Sequence, residues 1–276
     1  MVEVRRHLIS TRYGQVHCRE AGSGPAIILL HINQQSSALY LELMHELAPD
    51  MRVVAMDYPS HGMSDHISTQ PMISDYAACA AEVMEALGLD RFLALGEATG
   101  AAVCIELGNA QSALVEGLVL LNCPFYFKRD DAHRAHAELK GGLRPADTSG
   151  FPLTRTLDYM RDVDPAHAPL SPSQSWMDRI NVAQIEVGRD RWQALDALNN
   201  FDVAGGLAQL ECPTVLLMAE HFHYTHLLDE YVARIRSLVA AEVVEGARFC
   251  MGWEKPQIIA EKVRALAGKL KNIRAA

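Results

Sequence analysis

The sequence lacks the features that would place it in a membrane or on the secretory route. Residues 1–7 have no apolar core of the kind that a signal peptide carries. The longest apolar runs, such as Ala26–Leu30, have the length of a strand, whereas a bilayer span needs roughly 20 apolar residues. We therefore expect a soluble, cytoplasmic protein that has no membrane partner.

Closely spaced cysteines and runs of like charge are also missing. Six cysteines are spread along the chain without a Cys-x-x-Cys pair, which at this length indicates reduced thiols rather than a disulfide framework. The formal net charge is −9 and the basic residues are scattered, so the basic face that nucleic acid requires is not expected. The sequence leaves open whether the chain forms a homodimer.

The order of the apolar segments predicts the fold class. Residues 4–10 and 15–20 alternate polar and apolar side chains, which predicts an antiparallel hairpin. Continuous apolar runs, typical of strands covered on both faces, then alternate with segments of helical period. This alternation predicts an α/β fold, a doubly wound and mostly parallel sheet. The runs are 26–30, 53–56, 92–95, 118–121, 215–218 and a weaker 243–244, and the helical segments are 38–47, 73–87, 100–107, 227–238 and 256–270.

The alternation breaks between residues 126 and 201. No strand is predicted there, several helical patches are, and prolines cluster at Pro165, Pro169 and Pro172. The tryptophans and isoleucines of this segment argue against a long disordered loop. We interpret residues 126–201 as a helical cap inserted after the sixth strand, with residues 1–125 and 202–276 forming the core. The cap would cover the carboxyl ends of the strands, where ligands of such sheets bind.

Three motifs fall at matching places in the strand order. Residues 28–31 read Ile-Leu-Leu-His at the end of a strand, residues 57–65 read Asp-Tyr-Pro-Ser-His-Gly-Met-Ser-Asp, and residues 95–100 read Leu-Gly-Glu-Ala-Thr-Gly. Over nearly its whole length the chain resembles the α/β-hydrolase superfamily. It is most similar to the small, capped bacterial branch that includes enol-lactonases, meta-cleavage C–C hydrolases and stress-response hydrolases.

The resemblance implies a serine–histidine–acid triad, and each of its three positions holds another residue. The family's nucleophile elbow, Gly-x-Ser-x-Gly, has Ala98 at its centre, although both glycines remain. Residues 219–222 place Phe222 at the acid position, and residues 246–256 place Phe249 at the position of the histidine base. An engineered substrate trap needs only one such change. We therefore expect a degenerate triad on a retained turn.

Chemically capable groups lie beside two of these positions. Arg248 precedes Phe249, and its permanent charge suits binding of a carboxylate or enolate, unless it only ties a loop to a structural acid. His221 and His223 follow the seventh strand, where either one could replace the lost base. Together with His226 they form a spacing that metals use, but no matching carboxylate or cysteine set accompanies them. We expect no metal and no cofactor.

The remaining candidate residues would line the cleft. Cys123 ends the sixth strand and is either a small packing residue or, with a depressed pKa, a nucleophile. Glu97 and His31 are interpreted as structural. The predicted substrate-binding residues are Ile32, Asn33, Gln34, Thr99, Cys123 and Trp176.

These observations leave three functions. We favour an enzyme that acts on a small carbonyl or anionic compound by non-hydrolytic acid–base chemistry, as a lyase, decarboxylase, cyclase or isomerase does. The alternative is a catalytically silent protein that binds or senses a small ligand. The third is a weak hydrolase that uses Cys123 or a histidine-activated water. In each case the expected partner is a small molecule, anionic or enolisable.

Overall fold

An eight-stranded sheet forms the centre of the molecule. The computed structural model describes residues 2–124, 156–163 and 168–275. The strands lie in the order β1-β2-β4-β3-β5-β6-β7-β8, with β1 and β2 antiparallel to their neighbours and β3 to β8 parallel. They are β1 Arg5–Thr11, β2 Gly14–Ala21, β3 Ala26–Leu30, β4 Arg52–Met56, β5 Phe92–Glu97, β6 Val115–Leu121, β7 Thr214–Ala219 and β8 Leu238–Val244.

The predicted fold class is confirmed. Helices alternate with the parallel strands, and the hairpin of β1 and β2 precedes them. All five side chains of β3 are buried, and because they alternate between faces, both faces of the sheet are covered. The helices are α1 Leu41–Leu47, α2 Ile73–Ala86, α3 Thr99–Ala110, α4 Gln174–Val187, α5 Gln193–Asn199, α6 Val203–Gln209, α7 Leu228–Arg234, α8 Met251–Glu254 and α9 Pro256–Ala275.

One predicted helix extends too far at its C-terminal end. The sequence favoured a helix over 227–238, but α7 ends at Arg234 and β8 begins at Leu238. Residues 238–241 read Leu-Val-Ala-Ala, which suits a helix or a strand by composition. Pairing with β7 decides for the strand, and β8 is the edge of the sheet.

The segment predicted as a cap is described only in part. Residues 156–163 and 168–201 contain α4, α5 and a short π-helical turn at Tyr159–Val163, and no strand occurs within these residues. Trp176 and Ile180 of α4 are buried. Residues 125–155 and 164–167, with Pro165, lie outside the described residues, so the division into core and cap stays a prediction. Within the described part, no helix is long and apolar enough to cross a bilayer.

Candidate functional site at the carboxyl ends of the strands

Unusual backbone conformations collect at one edge of the sheet. Among the described residues, five non-glycine residues have a positive φ, and all of them lie in loops that leave the carboxyl ends of parallel strands. Such conformations cost of order 1–3 kcal/mol each and cluster at functional sites. The residues are Gln34 after β3, Ser60 after β4, Ala98 after β5, Asn122 after β6 and Cys250 after β8. This edge is therefore the candidate site.

Ala98 forms a tight turn between β5 and α3. Its φ of 50° and ψ of −112° place it in a region that residues with a side chain rarely occupy. Its amide donates to the carbonyl of Leu121 (3.0 Å), and its carbonyl accepts from Ala101 (2.9 Å), so the turn joins the sheet to the first turn of the helix.

The two glycines that flank Ala98 are required by close packing. A Cβ atom added at Gly100 would lie 1.9 Å from the carbonyl oxygen of Leu30, and one at Gly96 would lie 2.1 Å from the carbonyl oxygen of Gly100. The helix α3 thus packs directly against the backbone at the end of β3. The tight turn inferred from the sequence is present, with a methyl group at its centre.

Glu97 connects this turn to the loop after β8. The side chain is fully buried, and its Oε1 atom accepts hydrogen bonds from Asn122 Nδ2 (2.8 Å), the Cys250 amide (2.8 Å) and the Met251 amide (3.3 Å). Within the described structure, no donor reaches the other oxygen, Oε2. Burial raises the pKa of Glu97 to about 7, and the three hydrogen bonds oppose that rise.

Asn122 extends the same network to β7 and to Arg248. Its Nδ2 atom also donates to the Arg248 carbonyl (2.8 Å), and its Oδ1 atom accepts from the Ala219 amide (2.9 Å). Asn122 is fully buried with a φ of 43°, a conformation that asparagine tolerates better than most residues do. One side chain thus fixes the ends of two strands and the start of a site loop.

Phe222 and Phe249 pack against each other in the loops after β7 and β8. Their ring centroids lie 5.3 Å apart in an edge-to-face arrangement that aromatic pairs favour. Phe222 is buried and also contacts the rings of His223 and Tyr224. The pair contributes apolar surface at the candidate site.

Arg248 lies half-buried in the loop between β8 and α8. Its amide donates to Glu254 Oε2 (3.2 Å), while Glu254 Oε1 accepts from the Leu170 amide (2.7 Å). Glu254 therefore ties the Arg248 loop to the segment that precedes α4. These contacts fix the backbone of Arg248, and its predicted role toward a ligand stays a proposal.

The candidate histidines lie on the surface. The side chains of His221 and His223 are exposed, with His221 Nε2 3.8 Å from Glu220 and the His223 ring against Phe222. In the described ranges, no group of three or more histidine, cysteine or acidic side chains is placed to hold a metal ion. Both histidines follow β7 as predicted, but their rings reach solvent.

The loop after β3 and the start of α3 hold the predicted oxyanion-loop residues. Ile32 is buried and its carbonyl contacts His31 Nδ1 (2.8 Å), while Gln34 has a φ of 61°. Thr99 is buried as the first residue of α3. Asn33 is half-buried, and its Oδ1 atom has no hydrogen-bond partner in the part of the chain that is described. At the start of this loop, the carbonyl groups of Leu30 and His31 lie against Gly100, next to the Ala98 turn.

Cys123 and Trp176 are packed into the interior. Cys123 is fully buried, burial raises the pKa of its thiol well above the ordinary range, and its carbonyl accepts from the Tyr231 hydroxyl (2.5 Å). These features suit a packing residue, because a nucleophilic cysteine needs a lowered pKa. Trp176 of α4 stacks on Trp253, with centroids 5.7 Å apart, which joins α4 to α8.

The turn after β4 is built around a buried carboxylate. Asp57 accepts from the Ser37 amide (2.6 Å) and the Met63 amide (2.9 Å) and lies 2.8 Å from His17 Nδ1. Burial alone would raise its pKa, but these partners lower it to about 2. His31 accepts from the Tyr58 amide (3.2 Å), and burial lowers its pKa to about 4, so it is a neutral structural residue.

The comparisons with known proteins identify the family. Residues 27–261 match the alpha/beta hydrolase family, and the chain belongs to it. The chain is 30% identical over 246 residues to RutD of Agrobacterium fabrum, a protein named for a proposed carbamate hydrolase activity, with 86% of this chain and 87% of that protein covered. It is 33% identical over 169 residues to haloalkane dehalogenase 2 of Mycobacterium tuberculosis, but this match spans only 59% of that protein and 55% of this chain.

Solved structures agree in fold at low sequence identity. The epoxide hydrolase CorEH superposes with a TM-score of 0.77 at 21% identity, covering 97% of this chain and all of that one. E-2-(acetamidomethylene)succinate hydrolase gives 0.75 at 19%, with the same coverage. The enol-lactonase of Burkholderia xenovorans gives 0.70 at 16%, covering 95% of this chain and all of that one. At these identities the likeness shows the fold alone.

The sequence interpretation missed the hydrogen-bond network of Glu97 and Asn122. The place of Glu97 in the elbow predicts a structural role without naming its partners; in the structure its carboxyl group and the Asn122 amide join three strand ends and the Arg248 loop. Asn122 stands directly after an apolar strand and before Cys123 and Pro124, where a buried polar side chain carries information. That position was the available signal.

Proposed function

We propose that this member of the α/β-hydrolase family is an enzyme without serine-hydrolase chemistry, which acts on a small anionic or enolisable carbonyl compound by acid–base catalysis. The observation that carries the proposal is the conformation of Ala98. The turn has the backbone strain and the close glycine packing expected of a nucleophile elbow, yet its central side chain is a methyl group. A costly turn retained without a nucleophile supports a use for its backbone groups.

Phe222 and Phe249 support the same proposal. If they occupy the acid and base positions, their contact replaces a polar relay with an apolar wall. An apolar wall strengthens electrostatic interactions inside a site, because the effective dielectric constant falls. An anionic intermediate would then be stabilised by few groups: the first amides of α3 and the guanidinium of Arg248. This arrangement suits an enolate better than it suits a neutral ester.

A catalytically silent binding protein is the second candidate, and the exposure of His221 and His223 favours it. A general base must reach the proton that it removes, and both rings lie toward solvent. The third candidate, a hydrolase that uses Cys123, is disfavoured by the burial of that thiol and its raised pKa. A histidine-activated water at either surface ring meets the same objection as the general base. The named hydrolase relatives fit the family without deciding among these functions.

Ligand binding and turnover separate the first two candidates. Small carboxylates, β-keto acids, 2-oxo acids and phenols would be screened by thermal shift, and each stabilising compound then incubated with the protein and followed by proton NMR. Conversion to an isomer, or loss of carbon dioxide or of a neutral fragment, supports the enzyme. Saturable binding without conversion supports the silent binder. Cleavage by addition of one water would contradict both.

A further inference from the structure

We infer that Glu97 and Asn122 are positioning residues for Arg248 and Phe249, and that the hydrogen bonds from Glu97 hold the loop of these two residues more firmly when the Glu97 carboxyl group is ionised. Arg248 and Phe249 belong to the proposed ligand site, and the inference rests on the proposed function in this respect alone. Three hydrogen bonds support the first half: Asn122 Nδ2 donates to the Arg248 carbonyl, and Glu97 Oε1 accepts from both Asn122 Nδ2 and the Cys250 amide. Residues 248–250 are thus held from both ends.

The two oxygens of Glu97 are not equivalent. Oε1 accepts three N–H groups, whereas Oε2 is buried and no hydrogen bond reaches it from the described residues. In the neutral acid the proton therefore resides on Oε2, and Oε1 remains a carbonyl acceptor. In the ionised form the same three bonds are charge-assisted, which makes them roughly twice as strong. The loop is held more firmly when Glu97 is charged.

The groups that face Glu97 leave it as a titrating centre near neutral pH. Tyr40 and Cys250 stay uncharged there, because burial raises the pKa of both well above their ordinary values. The charge of Glu254 repels that of Glu97 and adds to the effect of burial, which together raise the pKa of Glu97 to about 7. The buried histidines near this edge, His31 and His61, remain neutral, since burial lowers their pKa values to about 4 and about 3.

The fluorescence of Trp253 reports on how firmly Glu97 holds this loop. Trp253 lies in α8, whose first amide is bound by Glu97, and it stacks on Trp176. Tryptophan emission of the full chain, recorded from pH 5 to pH 9, should shift with a midpoint near 7. Glu97→Gln keeps an acceptor at Oε1 but cannot ionise, so this transition should vanish. Glu254→Gln is the matched control: it removes a neighbouring carboxylate and should retain the transition, with the midpoint lowered because one repelling charge is lost.

A transition that persists in Glu97→Gln, or that is missing from the wild type, would overturn the inference. Should Glu97→Gln not fold, carbon-13 NMR of the glutamate carboxyl groups in the wild type decides the matter, with one resonance titrating near pH 7 expected. The absence of such a resonance would equally overturn it.

Asn122→Ala tests the other half of the inference. It removes the contact to the Arg248 carbonyl, and faster amide hydrogen exchange across residues 248–251 is the expected result, while unchanged exchange there would count against the role. A binding experiment then connects the network to the site. Acetoacetate should bind the wild type more weakly at pH 6 than at pH 8, whereas its affinity for Glu97→Gln should be the same at both pH values. The emission, NMR and exchange measurements use no ligand, so they stand or fall separately from the proposed function.

Discussion

The ring of Phe222 meets the ring of Phe249 edge-to-face, with their centroids 5.3 Å apart. The two residues come from loops after β7 and β8, which are adjacent parallel strands. If a catalytic acid and base once occupied these places, the contact has turned a hydrogen-bonded pair into an apolar one. The protein should then be inert toward substrates that require a relay of protons to a serine.

The absence of esterase activity is the first prediction. Hydrolysis of p-nitrophenyl acetate should equal the buffer background, because Ala98 carries no nucleophile. Ala98→Ser alone should stay at background, since serine needs a base to become nucleophilic. The triple variant Ala98→Ser, Phe222→Asp, Phe249→His should gain weak activity. Clear turnover by the wild type that an active-site label titrates would refute the proposal of a lost triad.

The packing of α3 against β3 leaves no room for a side chain at Gly100. Gly100→Ala should destabilise the protein by about 3 kcal/mol or more, because the new Cβ would meet the backbone oxygen of Leu30 and neither backbone can yield easily. Gly268→Ala, at an exposed position of α9, is the control: the added methyl group meets nothing, and the change should stabilise the protein by about 0.5 kcal/mol. Urea unfolding measures both. Equal stabilities would show that α3 does not pack tightly on β3.

Asp57 should make the fold sensitive to acid. Its pKa falls from 3.8 to about 2, so the stabilisation that it provides is fully present above pH 4 and is lost as the pH falls through about 2. Asp57→Asn should cost roughly 3 kcal/mol at pH 7, since it breaks a buried pair with His17. Asp65→Ala removes an exposed acceptor of the same turn and should cost about 1 kcal/mol. The free energies of unfolding of the wild type and the two variants, measured between pH 2 and pH 7, check the order of these stabilities.

Arg248 should select anionic ligands. For a carboxylate found in the thermal-shift screen, Arg248→Met should weaken binding by about 2 kcal/mol, because the half-buried positive partner of the ligand is lost. Arg248→Lys keeps the charge without the planar guanidinium group, and its affinity for the ligand should lie between those of the wild type and Arg248→Met. Calorimetric titration measures the affinities. If anionic ligands bind wild type and Arg248→Met equally well, Arg248 only supports its loop.

Thiol reactivity checks the proposal that no cysteine is a nucleophile. All six cysteines are free and buried. Ellman's reagent should therefore react with none of them in the native protein within minutes and with all six in guanidinium chloride. Rapid labelling of Cys123 in the native protein, identified by mass spectrometry, would revive the third candidate function.

Most of the fold could be predicted, and the errors have a local cause. Central strands such as β3 and β5 are continuous apolar runs, because they are covered on both faces. The strand β8 lies at the sheet edge and is only half-buried, and Glu242 interrupts its apolar run, so the sequence predicts only a weak strand at 243–244 and extends the preceding helix to Leu238. Local composition there does not distinguish a helix from a strand, whereas pairing with the neighbouring strand β7 does.

The candidate site could be predicted in its positions but not in its contacts. The sequence located Ala98, Phe222, Phe249 and Arg248 in loops at one edge of the sheet, since the order of elements fixes where strands end. It could not place the rings of His221 and His223, which turn toward solvent. A loop side chain takes its direction from packing with distant residues, which the sequence pattern does not contain.

The sequence by itself determined the α/β-hydrolase fold, the turn at Ala98 and the absence of a serine there, because these depend on local pattern and residue identity. Only the tertiary structure decided that Glu97 and Asn122 form a hub. The Glu97 carboxyl and the Cys250 amide are 153 residues apart in the chain and 2.8 Å apart in space. The raised pKa of Glu97 arises from that burial, and burial is a property of the assembled fold.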